Sequence, residues 1–193
     1  MMVSGVLLIG DAGLTLAWQE PISAYLADQQ QDELEEQFLD LPVSRVRRDQ
    51  RTKLKGDAIA RIDLPTIDKV TYVVEGTDTA SLRKGPGHYP KTPLPGERGT
   101  VAVAGHRTTY GAPFRKIDKL RRGDRITVAM PDGTFVYRVD RTRIVDDGAV
   151  WVINDVGHDQ LVLTACHPLH SAAQRVVVFA RFIRREKPRV VKT

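Results

Sequence analysis

A chain of 193 residues, 41% hydrophobic and 27% charged, suits one sizeable domain with an appendage and excludes a repeat array or a low-complexity protein. Its single cysteine, Cys166, excludes an intrachain disulfide framework and any multi-cysteine metal site. Residues 1–44 hold eight acids and no Lys or Arg, so the body from 45 onward carries a formal +13; that charge suits an anionic envelope, and with no helix-turn-helix, zinc-finger or aromatic-basic strand pattern it does not point to nucleic acid.

Residues 1–18 are nearly all apolar or small and end at Trp18, which is at the lower margin for a bilayer-spanning helix. Asp11 near the middle would cost about 2.5–3.5 kcal/mol on insertion. No basic n-region and no clean cleavage site accompany the stretch, so a membrane anchor over 1–19 fits better than a cleaved signal peptide. The rival is a buried helix of the folded domain. Residues 20–56 are read as a polar stalk and a basic linker. Leu34, Phe38 and Leu41 recur at helical spacing within Ser23–Leu41, which predicts a short amphipathic helix, and 42–56 lack periodicity.

From residue 57 the pattern turns to short β-type runs between turn signals. The expected strands are Ala58–Leu64, Lys69–Val74, Thr100–Ala104, Arg125–Ala129, Thr134–Val145, Gln160–Ala165 and Arg175–Ile183. Gly85-Pro86-Gly87, Pro95-Gly96 and Gly123-Asp124 read as turns, Asp132-Gly133 as a hairpin, and Pro113–Leu120 as a short helix. Seven or eight strands in about 135 residues mean a mainly β domain, a closed barrel or a sandwich.

Strand alternation sorts the side chains by face. Val162, Thr164 and Cys166 share one side, and Leu161, Leu163 and Ala165 the other. His106 falls with Ala102 and Ala104, and Arg175 lies opposite Val176 and Val178. Cys166, His106 and Arg175 each sit at a strand end, where a rigid scaffold presents functional groups.

A nucleophilic cysteine needs a base or cation to reach the thiolate, and donors for the oxyanion formed on the attacked carbonyl. Five histidines are available: His88, His106, His158, His167 and His170. Alternation turns His167 away from Cys166, and His170 is possible if the chain bends at Pro168. Spacing by itself does not select His106.

The segment Val162-Leu163-Thr164-Ala165-Cys166, followed nine residues on by Arg175, resembles the sortase signature TLxTC…R. Gly105-His106-Arg107-Thr108-Thr109-Tyr110-Gly111 resembles the catalytic-His segment of class E sortases of actinobacteria. Leu82–Pro90 and Pro95–Gly99 match the segments preceding that His. Residues 57–184 are covered, with the motifs in order. The resemblance implies that 57–193 is an eight-stranded β-barrel cysteine transpeptidase with short helices, needing no cofactor or metal.

It further implies Cys166 as nucleophile, His106 as acid/base and Arg175 as oxyanion donor. The substrate would be an LAXTG- or LPXTG-type sorting signal, with Tyr110 linked to the LAXTG preference and Thr164, Ala165 and His88 toward the substrate. His88 is read either as a groove residue or as a structural turn residue. The acceptor would be a peptidoglycan-precursor amine or a pilin lysine, and the catalytic domain would stand outside a single-pass membrane anchor. Val162 and Ala165 stand where the signature has Thr; alternation makes Ala165 a packing change and leaves Val162 on the Cys166 face. Asp146-Asp147 reads as a solvated acidic pair before it reads as a calcium site. Papain-like and L,D-transpeptidase contexts are absent, and the remaining rivals are a hydrolytic cysteine peptidase and a non-catalytic binding barrel.

Overall fold

The computed structural model describes residues 25–43 and 51–187. The expected anchor over 1–19 and linker residues 44–50 lie outside the described residues. Among the described residues no helix is long and apolar enough to cross a membrane.

Eight strands close into a barrel: β1 (Ala58–Leu64), β2 (Lys69–Glu75), β3 (Gly87–His88), β4 (Thr100–Ala104), β5 (Arg125–Met130), β6 (Gly133–Asp146), β7 (Gln160–His167) and β8 (Gln174–Glu186). Their order around the barrel is β1-β2-β3-β4-β7-β8-β6-β5. Alternation drives the closure. Leu161, Leu163, Ala165, Val176, Val178 and Ala180 point inward to a core that also holds Ile62, Ile126 and Tyr137. Each apolar side chain taken out of water contributes about 1.5–3 kcal/mol. The other parity is also covered along part of the wall. Ala102, Val162, Val177 and Phe179 pack outside β4, β7 and β8 beneath Val152 of the 3-10 turn Val150–Ile153.

All seven expected strands form, within a residue or two at most ends. β5 and β6 form the hairpin, but Met130 already pairs with Gly133, so Pro131-Asp132 make the turn and Gly133 opens β6. The helix expected over Pro113–Leu120 is a run of turns with one 3-10 turn, Ile117–Lys119. Phe114, Ile117 and Leu120, all at 0% exposure, are spaced by three, the 3-10 period, and that spacing imitates one face of an α-helix. β3 is new: Gly87 pairs with Val74 on one side and Ala104 on the other. A Cβ on Gly87 would run into the carbonyl oxygen of Gly76, so the turn-like Gly-Pro-Gly is there for close backbone approach.

A helix over 25–39, α1, lies across the barrel wall, as the Leu34–Phe38 spacing predicts. Leu34 is fully buried against Ala58, Tyr72 and Val74, with Phe38 beside it. A second short helix, α2 (Thr79–Lys84), starts at Asp78, whose side chain accepts from the Ser81 amide.

Candidate active site

β4 and β7 run parallel, with Ala104 beside Thr164. The Gly105 amide closes that last pair by donating to the Thr164 carbonyl at 3.0 Å. Two residues further on, the same register would bring His106 level with Cys166. On the other side of β7, Cys166 pairs with Arg175 of β8. Cys166 and Arg175 therefore stand side by side on neighbouring strands, about 4.8 Å apart, and His106 follows two residues past the last β4–β7 pair. Cys166 has the parity of Val162, which packs on the outer wall, so it lies on the outside of the barrel at one end.

His106 owes its position to the segment after it. The Phe114 amide donates back to the His106 carbonyl at 3.0 Å, closing the intervening residues into a loop. The Phe114 ring fills the space above Gly105, and a Cβ there would lie 2.5 Å from the ring. Within the loop Tyr110, Gly111 and Ala112 all have positive φ, a tight reversal that folds Tyr110 back. Its ring stands 5.0 Å from the imidazole of His106, and the Arg83 guanidinium of α2 lies 5.7 Å from the Tyr110 ring centre. Burial lowers the pKa of His106 below its ordinary value, so at neutral pH the imidazole is uncharged and able to accept a proton.

Cys166 is a free, half-buried thiol. Arg175 is half-buried and donates from Nη1 to the carbonyls of Ala172 (2.7 Å) and Gln174 (2.9 Å). Its Nε–H and Nη2–H groups make no hydrogen bond among the described residues, so they can serve an incoming oxygen. Tyr110 is 38% exposed at the rim.

Three other expected substrate residues are enclosed. Thr164 is 4% exposed, and its hydroxyl is shared with that of Tyr89 at 3.3 Å. Ala165 packs inside the barrel core. His88 has 1% exposure; its Nδ1 lies 2.8 Å from Glu75 and its Nε2 3.0 Å from the Pro93 carbonyl. With the Thr92 hydroxyl also 3.1 Å from Nε2, three oxygen partners surround the ring, which favours the structural one of its two readings. His170 is exposed and His167 is half-buried. Asp146 and Asp147 are exposed, and among the described residues no three His, Cys, Asp or Glu side chains gather as a metal site.

One residue of the site escaped sequence reasoning. Arg107, 4% exposed, sits between the His106 loop and the end of β7. It entered the sequence reading only as a member of the His106 segment, and nothing in the spacing marked its partners Asp118 and Cys166.

The family model described as Sortase domain matches residues 62–183. Sortase D of Bacillus subtilis is 33% identical over 65% of this chain and 64% of its own length. Sortase SrtE1 of Streptomyces coelicolor is 31% identical over 69% of this chain and 42% of its own. This chain thus spans less than two thirds of either relative. The crystal structure of Sortase E1 from Streptomyces coelicolor with a tripeptide in the active site superposes with a TM-score of 0.66 at 28% identity, covering 72% of this chain and 95% of that one. With the barrel, the strand order and the matched span in agreement, the chain belongs to the sortase family, class E members being among its matched relatives.

Proposed function

We propose that this sortase is a cysteine transpeptidase acting on a C-terminal sorting signal, and that His106, Cys166 and Arg175 are its catalytic residues. The single observation that supports the reading is the pairing of Cys166 with Arg175 at the end of the barrel where β4 delivers the His106 segment. His106 takes the Cys166 thiol proton, and the thiolate attacks the Thr carbonyl of the Thr–Gly bond, forming the C–S bond. The oxyanion accepts from the unengaged N–H groups of Arg175. His106, now protonated, gives its proton to the glycine nitrogen as the C–N bond breaks, leaving a thioester. An acceptor amine then attacks, His106 takes its proton, and the Cys166 sulfur leaves.

The relative solved with a tripeptide in its active site is consistent with a peptide on this face. Tyr110 at the rim, beside His106, fits selection of an LAXTG-type signal. The acceptor is a peptidoglycan-precursor amine or a pilin lysine, and residues 1–19 anchor the chain in the cell membrane with the barrel on the extracytoplasmic side.

The test is incubation of the full chain with fluorogenic LAXTG and LPXTG peptides and an amine acceptor, with products read by mass spectrometry. Amine-linked product that disappears in Cys166→Ala, His106→Ala and Arg175→Ala is the expected result. Hydrolysis without transfer would make the chain a peptidase. No thioacyl adduct on Cys166 would leave a binding barrel.

A further inference from the structure

Arg107 follows His106 in sequence, yet its side chain belongs to the other side of the site. A guanidinium buried to 4% exposure is held only where its charge and N–H groups are answered. Here four groups on two segments answer it. Nη2 forms an ion pair with Asp118 at 2.9 Å. Nε donates to the Arg115 carbonyl at 3.3 Å. Nη1 donates to Nδ1 of His167 at 3.1 Å and, at a long 3.4 Å, to the carbonyl of Cys166 itself. One rigid fork therefore ties the loop that carries His106 to the residue that carries the thiol.

Two consequences follow. Arginine has no acceptor, so Nδ1 of His167 must be the unprotonated nitrogen and its proton must sit on Nε2. This removes His167 as a base through Nδ1. The second concerns geometry. β4 and β7 are tied only as far as the Gly105 amide; beyond it the His106 segment leaves the sheet while β7 stays paired to β8 through His167. The Arg107 bracket spans that unladdered stretch, from the residue after His106 to the carbonyl of Cys166.

We infer that Arg107 is a positioning residue, which holds Cys166 in register with His106 and locks His167 as its Nε2–H tautomer. The consequence for turnover rests on the transpeptidase reading; the tautomer does not.

The test uses the full chain with Arg107→Met, Arg107→Lys and the double variant Arg107→Met/Asp118→Leu. Asp118 is 30% exposed, so its carboxylate can turn to water in the single variants and the fold is expected to survive. In Arg107→Met, kcat should fall roughly hundredfold with KM changed less than about threefold, because misplacement by an ångström acts on the reacting geometry and spares peptide binding. Arg107→Lys, a point charge without the fork, should recover only part of the loss. The double variant removes both members of the ion pair and should regain the thermal midpoint without regaining kcat. Nitrogen-15 spectra of labelled histidine should show His167 with Nδ1 unprotonated in the wild type and a mixture of tautomers in Arg107→Met.

A wild-type kcat in Arg107→Met, or a kcat that returns with stability in the double variant, would reduce Arg107 to scaffolding and overturn the inference. So would a protonated Nδ1 on His167 in the wild type. If the wild type itself turns over no sorting peptide, the proposed function fails, and the His167 spectrum still decides whether the bracket exists.

Discussion

α1 covers a gap in the barrel, and Leu34→Ala should open it. β3 has two residues and pairs with β2 only at Val74 and Glu75, so the lower half of β2 has an edge without a strand neighbour. Gln31 of α1 takes that place. Its Oε1 accepts from the Tyr72 amide and the Thr71 hydroxyl, both at 2.8 Å, and its Nε2 donates to the Lys84 carbonyl at 3.1 Å. An edge left open invites pairing with other chains, and covering it is the usual remedy. What holds α1 down is Leu34, at 0% exposure. Truncating a fully buried Leu to Ala costs about 2–5 kcal/mol, and a peripheral helix can settle partly into the space, so about 3 is expected here. At about 1.4 kcal/mol per decade that is roughly a hundredfold in the opening equilibrium. Native-state hydrogen exchange at the Tyr72 amide reads the opening directly. The rate should rise by about two decades, with a denaturant dependence well below that of global unfolding, because only α1 leaves. An unchanged Tyr72 rate would refute the reasoning. So would Tyr72 exchange that carries the full denaturant slope of a core amide such as Leu163.

Three further outcomes follow from the site and its support. Gly105→Ala places a Cβ 2.5 Å from the Phe114 ring, which is fully buried and cannot step aside. Overpacking of this kind costs about 1–3 kcal/mol and should lower Tm by about 2–4 °C per kcal/mol in a thermal scan; kcat should fall with it because His106 must move. Glu75→Ala leaves His88 without its 2.8 Å partner at 1% exposure. Leaving a buried nitrogen unsatisfied costs about 1–3 kcal/mol, measurable as a lower urea midpoint, and a loss under about 0.5 kcal/mol would show that the contact contributes little. The pKa of His106 is lowered by burial, so between that value and the unfolded value of about 6.5 the unfolded chain binds more protons. Its contribution to stability therefore holds above about pH 6.5 and declines as pH falls through that window. The acid limb of kcat/KM should likewise fall below about 6.5; a limb above that value would contradict the desolvated, neutral imidazole.

The barrel was legible because its strands obey a period of two so consistently. Leu161, Leu163 and Ala165 face inward and Val162 outward as alternation requires, and seven strands could be placed from that rule with turn chemistry between them. Where the sequence misled, two local signals coincided. Phe114, Ile117 and Leu120 carry a spacing shared by the 3-10 turn and the α-helix, and only the barrel end they plug decides between them. Gly85-Pro86-Gly87 reads as a turn, yet Gly87 is a strand residue whose missing side chain lets β2, β3 and β4 meet. α2 is six residues long, too short for periodicity to register, and only its Asp78 cap marks it in the sequence.

The site shows a sharper division. Which residue types could perform the chemistry was readable from the segments they resemble, whereas spacing alone did not select His106 among the five histidines. Register adds a physical reason to favour one of them: a parallel pair joining β4 to β7 sets residues 60 apart side by side, as it does Ala104 and Thr164. The same step, carried on two residues, would bring His106 level with Cys166, whereas His170 is exposed beyond the end of β7. His88 shows the converse. Its neighbourhood in sequence suggested the groove, but its partner Glu75 is thirteen residues back and reaches it only through the two-residue strand β3. Arg107 was invisible for the same reason, since its acceptors at 115, 118, 166 and 167 come together only after the barrel has closed. A polar residue buried beside a catalytic one is thus identified by where its hydrogen bonds end, and those ends are long-range properties of the fold.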